Sequence, residues 1–325
     1  IKLNSYYLPF EYLELEKMQQ QRNDLKYGQK VKLKDFNFQL QDAGHIPGSA
    51  MVDMKINGKK ILYTSDFNTI NTRICNAAKV PRKKYDAIII ESTYALHEHP
   101  ERKQLEKDFV NDIKATVNQG GKVLIPAFAV GRSHEILSVL HAHKFDGYVL
   151  LDGMARAVNK IMLDYPESTK TPKTYANAVR NVHEIRGWRD RRKAVRKADV
   201  IVAPSGMLQG GTVMFYMEKV ATNPQNGIFV VSFQVPGTNG AKLLETGMFP
   251  IKDRETKVSA KVKHYDFSSH SGRTPLQNFL KRLKGKPDIY VVHGEEESCD
   301  FLAEWVRDEL DLNGIAPNMG DEFTV

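Results

Sequence analysis

Five residues whose side chains bind metals or carry protons follow apolar, strand-like segments of the chain. They are His45, Asp66, Glu91, His270 and His293. Strands that end on imidazole and carboxylate groups indicate one rim of a sheet that collects metal ligands and proton carriers. His45, Asp66 and His293 are candidate metal ligands, because both groups suit zinc and a carboxylate can bridge two ions. Taken singly, each is more often a structural hydrogen-bonding residue.

Glu91 and His270 are candidates for a proton-transfer pair. A carboxylate that accepts a hydrogen bond from one imidazole nitrogen fixes the tautomer and raises the basicity of the other nitrogen. A strand predicted over Val258–Asp266 leads to His270. In the alternative interpretation, Glu91 has only a turn or capping role after its strand.

A glycine-rich loop and an arginine are candidates for binding phosphate. The loop over residues 205–211 follows a strand and opens a helix, where backbone N–H groups meet anions. The alternative is an ordinary tight turn between strand and helix. Arg132, at another strand-to-helix junction, is suited to clamp a phosphate. The candidate residues for RNA or phosphate are Ser205, Gly206, Gly210, Gly211, Arg132 and Ser269.

The pattern of apolar residues predicts the elements that must hold these side chains. An Asn57-Gly58 turn between two apolar runs predicts a hairpin. From about Glu101 onward, amphipathic helices alternate with short buried strands, which is typical of parallel βαβ units. One of these helices, capped by Ser133, is predicted to run through Leu140. We interpret this middle region as an α/β unit inserted into a domain built from both ends of the chain.

The composition favours a globular protein with a polyanionic partner. The 325 residues are 41% hydrophobic and carry a net charge of +8. Basic residues cluster at Lys79–Lys84 and Arg186–Lys197, which favours RNA, with a solvated helix face as the alternative. No apolar run approaches the roughly 20 residues that span a bilayer, so no membrane association is expected. Two cysteines without a CxxC spacing favour a reducing cytoplasm and exclude a cysteine zinc site.

Eight segments, in one order along the chain, carry a resemblance to a known family. They are AGHIPGSA (43–50), YTSDFN (63–68), IIESTYA (89–95), VLIPAFAVGRSHEIL (123–137), APSGMLQGG (203–211), FQVPGTNG (233–240), FSSHSGR (267–273) and VVHGEEE (291–297). With these motifs the chain resembles the β-CASP branch of the metallo-β-lactamase superfamily, the RNA-processing nucleases. It is similar to archaeal relatives of the cleavage-and-polyadenylation endonuclease, with RNase J as a cousin.

The resemblance implies a role for each candidate residue. His45 would bind a first zinc ion, His293 would bind a second, and Asp66 would bridge the two. Glu91 matches the acidic motif of the family and would support His270 as general acid. Asp66, Glu91 and His270 are therefore the expected catalytic set, with Zn²⁺ as the cofactor.

The implied fold is α/β: a metallo-β-lactamase αββα core, incomplete at the N-terminus, with an inserted Rossmann-like parallel β-CASP domain. The expected domains are residues 1–95 for the first part of the core, 96–255 for the β-CASP domain, and 256–325 for the C-terminal part of the core. The implied activity is zinc-dependent hydrolysis of single-stranded RNA in RNA processing or decay. Its products would carry a 3′-hydroxyl and a 5′-phosphate.

One signature of the family is absent from the sequence. The His-x-His-x-Asp-His string that should supply further zinc ligands occurs nowhere, and the pairs His97–His99 and His141–His143 are interpreted as surface histidines. We therefore expect that residue 1 is not the natural start of the protein. The alternatives are a non-catalytic RNA-binding subunit of the same fold and a small-molecule metallohydrolase. The sequence does not choose between internal and 5′-to-3′ cleavage, and it leaves a homodimer open.

Overall fold

Two large sheets dominate the computed structural model, which describes residues 10–325. In chain order the strands are β1 (Lys30–Lys32), β2 (Phe36–Asp42), β3 (Ala50–Ile56), β4 (Lys59–Tyr63), β5 (Ala87–Glu91), β6 (Val123–Pro126), β7 (Val149–Leu151), β8 (His183–Glu184), β9 (Val200–Ala203), β10 (Gly227–Val230), β11 (Met248–Ile251), β12 (Arg254–Lys257), β13 (Lys261–His264), β14 (Asp288–Val292) and β15 (Gly314–Ile315). The first sheet has the order β1-β2-β3-β4-β5-β14-β15, and the second has the order β13-β10-β6-β9-β7-β8. β11 and β12 form a separate hairpin.

Helices connect these strands and cover the sheets. In chain order they are α1 (Tyr12–Gln20), α2 (Arg102–Asn118), α3 (Arg132–Ala142), α4 (Met154–Asp164), α5 (Pro172–Val179), α6 (Trp188–Lys197), α7 (Val213–Val220), α8 (Asn239–Thr246), α9 (Arg273–Lys281) and α10 (Glu296–Leu310). Within the described residues, none of them combines the length and the apolar character that crossing a membrane requires.

The first sheet contains the hairpin predicted around Asn57-Gly58. β3 and β4 pair antiparallel, and the two turn residues have φ values of 48° and 86°. An Asn-Gly turn favours this positive-φ geometry, because its twist matches that of the flanking strands. β4, β5 and β14 then run parallel side by side. Helices α9 and α10 pack on this sheet through a core that includes Ile88, Leu276 and Val306.

The second sheet is parallel in every pairing, as the alternation of helices and strands predicted. Helices α2 to α5 pack in one core with this sheet, and α6 to α8 pack in another. All four residues of β9 are buried, because helices cover both faces of a parallel sheet of this kind. Phe109 and Ile113, from the apolar stripe of α2, are fully buried against it.

The strand that leads to His270 lies in the second sheet. β13 pairs in parallel with β10, with His264 opposite Val230. The strand predicted over Val258–Asp266 is observed over Lys261–His264 and belongs to the second sheet. The domain boundary expected after residue 255 stays a prediction. Alternation of side chains shows which face of a strand is buried, but it does not identify the partner strand. Residues 1–9 of the predicted first domain lie outside the described residues.

A cluster of ion pairs joins the loop after β4 to helices α2 and α3. The backbone N–H of Arg73 donates to Glu135 at 2.9 Å, and its guanidinium donates to Glu106. Arg102 donates to both carboxylates, which are buried. Burial would raise the pKa of Glu106, but the hydrogen bond of Arg73 and the charge of Arg102 outweigh it and lower that pKa. The cluster therefore ties the two sheets together through ionised groups.

Helix α3 begins at a glycine that lies against the His45 loop. Gly131 precedes the helix with a φ of 75°, and a Cβ at this position would lie 2.6 Å from Cγ2 of Ile46. Glycine permits both the backbone conformation and the close approach. The prediction that Ser133 caps this helix is wrong. Ser133 lies inside the first turn, and its hydroxyl donates to the carbonyl of Phe128 at 2.7 Å.

Candidate active site

The carboxyl ends of neighbouring parallel strands meet at one rim of the first sheet. β4 leads to Asp66, β5 ends on Glu91, and β14 leads directly to His293. β2 runs in the same direction as β4, because β3 pairs antiparallel to both, and it leads to His45. The structure thus brings four of the five chemistry-bearing residues to one rim. The fifth, His270, reaches the same place from the second sheet.

His45 is held by a hydrogen bond that leaves one ring nitrogen free. Its Nδ1 lies 3.0 Å from the carbonyl oxygen of Ser269. Because a carbonyl only accepts, we assign the proton of the neutral ring to Nδ1, and Nε2 then presents a lone pair. Nε2 lies 3.9 Å from Oδ2 of Asp66. Burial and the neighbouring charge of His270 lower the pKa of His45, which favours the neutral form that binds metals.

Asp66 lies between two histidines. Its Oδ1 is 3.2 Å from Nδ1 of His293, on the side opposite its contact with His45. The side chains of His293 and Asp66 are 57% and 35% exposed, so this end of the site is open to solvent. The hydroxyl of Thr93 donates to the carbonyl of His293 at 2.9 Å and lies 3.2 Å from its Nδ1. Thr93 therefore holds His293, a candidate ligand, in place, a contact that the sequence did not predict.

Glu91 and His270 pair across the two sheets. Nδ1 of His270 lies 2.9 and 3.0 Å from the two carboxylate oxygens. Glu91 is buried and also accepts the N–H groups of Phe67 and Thr93. Burial raises the pKa of Glu91, but these hydrogen bonds, above all that of His270, lower it overall. Burial lowers the pKa of His270, but the Glu91 carboxylate outweighs it and raises that pKa overall.

This pair lies directly beside the candidate metal ligands. The ring centroids of His45 and His270 are 4.5 Å apart, and those of His270 and His293 are 6.1 Å apart. Ligand atoms of His45, Asp66 and His270 all lie within 4.8 Å of one another. His45 and Asp66 are thus close enough to share a zinc ion, whereas His293 contacts Asp66 but groups at this spacing with Glu91 and His270 rather than with His45. Because Nδ1 of His270 is hydrogen-bonded to Glu91, only Nε2 of that ring is left for a metal or a substrate.

Two of the predicted phosphate-binding residues lie against the site. Arg132 is buried, and its Nη2 donates to Oγ of Ser269 at 3.1 Å. Its Nε is also buried and has no hydrogen-bond partner among the described residues. Burial and the charge of Arg102 lower the pKa of Arg132 to about 10, so the group stays cationic at neutral pH. A buried cation with an unpaired donor costs free energy, which is typical of a functional position.

The predicted phosphate loop, Ser205–Gly211, is stabilised by its own hydrogen bonds. Oγ of Ser205 accepts from the N–H of Gln209 at 3.1 Å. A Cβ on Gly206 would lie 3.1 Å from the backbone nitrogen of Phe128. No hydrogen bond or ion pair of the described residues joins this loop to the histidines or the aspartate of the site. These contacts favour the tight-turn interpretation, and phosphate binding by the loop stays a prediction.

Aromatic residues extend the site toward the second sheet. The ring centroid of Tyr94 lies 6.0 Å from that of His270 and 5.8 Å from that of Phe233. Burial raises the pKa of Tyr94 to about 12, so its hydroxyl stays protonated. Both aromatic residues lie within the family motifs, but neither was predicted as a site residue. Their positions beside Glu91 and after β10 were the available signal.

A histidine–aspartate pair supports the loop that carries His270. Nδ1 of His99 lies 2.6 Å from Oδ2 of Asp266, and Oδ1 of Asp266 accepts the N–H of Ser268 at 3.0 Å. The side chain of His99 is only 12% exposed. Its interpretation as a surface histidine is therefore wrong, because a partner distant in sequence draws it into the protein.

Comparison with known proteins gives a family for this arrangement. The Beta-Casp domain model matches residues 133–243, and the model of the Zn-dependent metallo-hydrolase RNA specificity domain matches residues 255–317. The chain is 35% identical to RNase aCSPSF2 of Saccharolobus solfataricus, over 100% of this chain and 66% of the relative. It is 37% identical to the probable RNase MJ4 of Methanocaldococcus jannaschii, over 93% of this chain and 72% of the relative.

A third relative, the transcription termination factor FttA of Methanothermobacter thermautotrophicus, is 32% identical over 91% of this chain and 51% of its own length. The chain thus spans between about half and about three quarters of the relatives named here. Both the matched domains and the similarity along nearly the whole chain agree with the two-sheet architecture and its histidine-rich rim. The chain belongs to the β-CASP family of metallo-β-lactamase-fold ribonucleases.

Proposed function

We propose that the complete protein is a metal-dependent ribonuclease that hydrolyses phosphodiester bonds in single-stranded RNA. The observation that carries this proposal is the position of the buried Glu91–His270 pair directly beside the candidate metal ligands His45 and Asp66. The net charge of +8 and the cation of Arg132 beside the site favour a polyanionic substrate. The relatives named as ribonucleases support the same class of reaction.

His45, Asp66 and His293 would hold the metal. We propose zinc, with two ions in the complete active site and Asp66 shared between them. When bound, zinc polarises the phosphodiester and lowers the pKa of water. The hydrogen bond from His45 to the Ser269 carbonyl would hold that ring in the tautomer a metal requires. Thr93 would orient His293 in the same way.

His270 would act as the general acid. The Nδ1–H of His270 donates a hydrogen bond to Glu91, so Nε2 is the nitrogen that can deliver a proton to substrate. A water molecule would form a new bond from its oxygen to phosphorus and release a proton to solvent, while the bond between phosphorus and the 3′ oxygen breaks and this oxygen accepts the proton from Nε2. One fragment then ends in a 3′-hydroxyl, and the other begins with a 5′-phosphate. Glu91 acts through His270 and is a positioning residue.

Arg132 and Ser269 would position the phosphate that reacts. The guanidinium carries an unpaired Nε–H and a charge, and both suit a phosphate oxygen. Ser269 links this group to His45, because its hydroxyl accepts from Arg132 and its carbonyl accepts from the imidazole. The loop Ser205–Gly211 would offer backbone N–H groups to phosphates farther along the strand.

The deciding experiment compares cleavage and zinc content in the complete protein. We expect His270→Ala to abolish cleavage of labelled single-stranded RNA and to keep zinc near the wild-type amount. Loss of zinc together with activity would instead make His270 a ligand. Asp66→Ala is expected to lose both zinc and cleavage, and full zinc occupancy in that variant would contradict its bridging role.

Two other activities are separated by the same zinc-loaded protein. Tight RNA binding without cleavage would indicate a non-catalytic RNA-binding subunit. Hydrolysis of a β-lactam without RNA cleavage would indicate a small-molecule metallohydrolase. Cleavage of a circular single-stranded RNA would show that the enzyme cuts internally, because a circle offers no 5′ end.

A further inference from the structure

A groove between helices α6 and α7 combines one exposed and one half-buried aromatic ring with unpaired cations. It has a volume of about 640 Å³ and lies on the outer side of the helices that pack on the second sheet. Trp188 stands at the start of α6 with 52% of its surface exposed. Its ring meets that of Phe215 in an edge-to-face contact with centroids 5.0 Å apart.

Two stripes of the same design face each other across this groove. On α6, Trp188, Arg192 and Arg196 follow one another at intervals of four residues. On α7, Phe215 and Lys219 do the same. Residues four apart share one helix face, so each stripe has its aromatic ring at the start of the helix and its cations beyond. The guanidinium of Arg192 lies 5.6 Å from the Trp188 ring, and Nζ of Lys219 lies 5.6 Å from the Phe215 ring.

The cations of the groove are available to a ligand. Arg192, Arg196 and Lys219 are exposed, and no ion pair of the described residues uses any of them. Lys122, at one end of the groove, donates instead to the carbonyl oxygens of Arg196 and Ala198. Glu218 is the only acid that lines the groove within the described residues. The groove therefore carries a local excess of positive charge beside two aromatic faces.

We propose that this groove binds single-stranded RNA, with bases stacked on Trp188 and phosphates paired with Arg192, Arg196 and Lys219. Aromatic platforms next to cations are the features by which proteins hold unpaired bases without reading their sequence. A duplex keeps its bases stacked internally and would not use the aromatic rings. The inference deepens the proposed function, because it supplies a second contact for the same substrate.

The groove begins at the edge of the second sheet that also reaches the active site. α6 and α7 follow β8 and β9, so both helices begin at the carboxyl edge of the second sheet. The loop after β10 at this edge also reaches the active site, because Phe233 packs against Tyr94, which lies beside His270. The aromatic ends of both stripes therefore lie toward the active-site edge, and the cations lead away from it. RNA held in the groove would be a distal part of a strand that reaches the site.

Tryptophan fluorescence tests the stacking directly. The chain has two tryptophans, so Trp305→Phe leaves Trp188 as the only reporter. We expect oligoadenylate to quench this fluorescence with saturation, and a duplex of equal length to leave it nearly unchanged. Equal quenching by the duplex, or none by either RNA, overturns the stacking. All binding is measured with a chelator present, so that cleavage plays no part.

A matched pair of charge reversals tests the cations. Arg192→Glu with Arg196→Glu is compared with Lys103→Glu with Lys107→Glu, which makes the same charge change on exposed positions of α2. We expect the groove variant to weaken oligoadenylate binding about tenfold or more and to lower the salt dependence by about two counterions. Trp188→Ala should weaken binding about tenfold. Equal losses in both double variants overturn the proposal, because net charge alone would then explain them.

The outcomes separate this inference from the proposed function. His270→Ala should bind RNA in the groove as well as wild type does. Groove binding without any cleavage by the zinc-loaded complete protein would refute the ribonuclease and leave the groove intact. Cleavage and binding unchanged by the groove variants would refute the groove alone. A change of oligomeric state in Trp188→Ala, measured by sedimentation, would show that the groove holds another protein chain and would overturn the RNA assignment.

Discussion

Nδ1 of His270 lies 2.9 Å from Oε1 of Glu91, although the two residues are supplied by different sheets. Glu91 ends β5 in the first sheet, and His270 follows β13 in the second. The pair is therefore complete only when both sheets are folded and docked. The ion pairs of Arg73 with Glu106 and the backbone contact at Gly131 hold that docking.

Glu91→Gln should lower cleavage of ordinary RNA by about 10²- to 10⁴-fold, because the general acid loses the carboxylate that orients and charges it. Zinc content should stay unchanged. An RNA with sulfur in place of the bridging 3′ oxygen needs no proton on its leaving group. Both Glu91→Gln and His270→Ala should therefore recover most of the lost rate on that substrate, measured in single-turnover assays. Equal defects on both substrates would exclude a role in leaving-group protonation.

Arg132→Met should weaken RNA binding about tenfold and leave the melting temperature unchanged or higher. The wild-type residue buries a charge and an unpaired Nε–H, and their removal relieves a desolvation cost. Lysine at this position keeps the charge but loses the planar fork, so Arg132→Lys should recover only part of the affinity. Calorimetry and filter binding measure the two effects. Strong destabilisation of Arg132→Met would show that the residue serves the fold alone.

Gly131→Ala should destabilise the protein more than Gly120→Ala does. Both glycines have a positive φ, 75° and 79°, but Gly131 also has a ψ of −71° in a γ-turn that an L residue adopts only under strain. Only at Gly131 would the new Cβ meet another residue, Cγ2 of Ile46 at 2.6 Å, whereas nothing lies within 4 Å at Gly120. The difference in the free energy of unfolding measures this contact together with the γ-turn strain at Gly131. We also expect Gly131→Ala to weaken zinc binding, because Ile46 is the neighbour of His45 in the chain.

Glu106→Gln should destabilise the protein by about 3 kcal/mol at neutral pH, because Arg73 and Arg102 lose a buried carboxylate. The pKa of Glu106 is lowered in the folded state, so its contribution is present above the unfolded value of 4.5 and is lost as the pH falls through the folded pKa. Wild type should therefore lose part of its stability below pH 4.5, and Glu106→Gln should lose less. Urea unfolding across this range measures the slopes. Parallel slopes would mean that folding does not lower the pKa of Glu106.

Much of the site was predictable because short-range patterns decide it. The Asn57-Gly58 turn pairs neighbouring strands, so the approach to Asp66 followed from local sequence. Apolar runs that end on Glu91 and His293 are buried parallel strands, and parallel strands place their carboxyl ends at one edge. The family motifs in which these residues occur then indicated that they belong to one site.

Contacts between residues distant in sequence were not predictable from the same patterns. The alternation in Val258–Asp266 indicated a strand but could not show that it pairs with β10 in the second sheet. The burial of His99 depends on Asp266, which is distant in sequence. Serine is a residue type that often caps helices, yet the close approach of Ile46 requires glycine at the position before α3. In each case a tertiary contact outweighed a local preference.

With His45 as the proposed metal ligand, its hydrogen bond to the Ser269 carbonyl would couple the affinity for metal to the affinity for substrate. Ser269 also accepts from Arg132 and directly precedes His270. A substrate that orders the segment 267–271 thereby strengthens the ligand geometry of His45. By linkage, metal at His45 must then raise the affinity for that substrate by the same factor, with coupling free energies of this kind being about 1–3 kcal/mol. Binding of RNA would in this way raise the affinity of the nuclease for zinc.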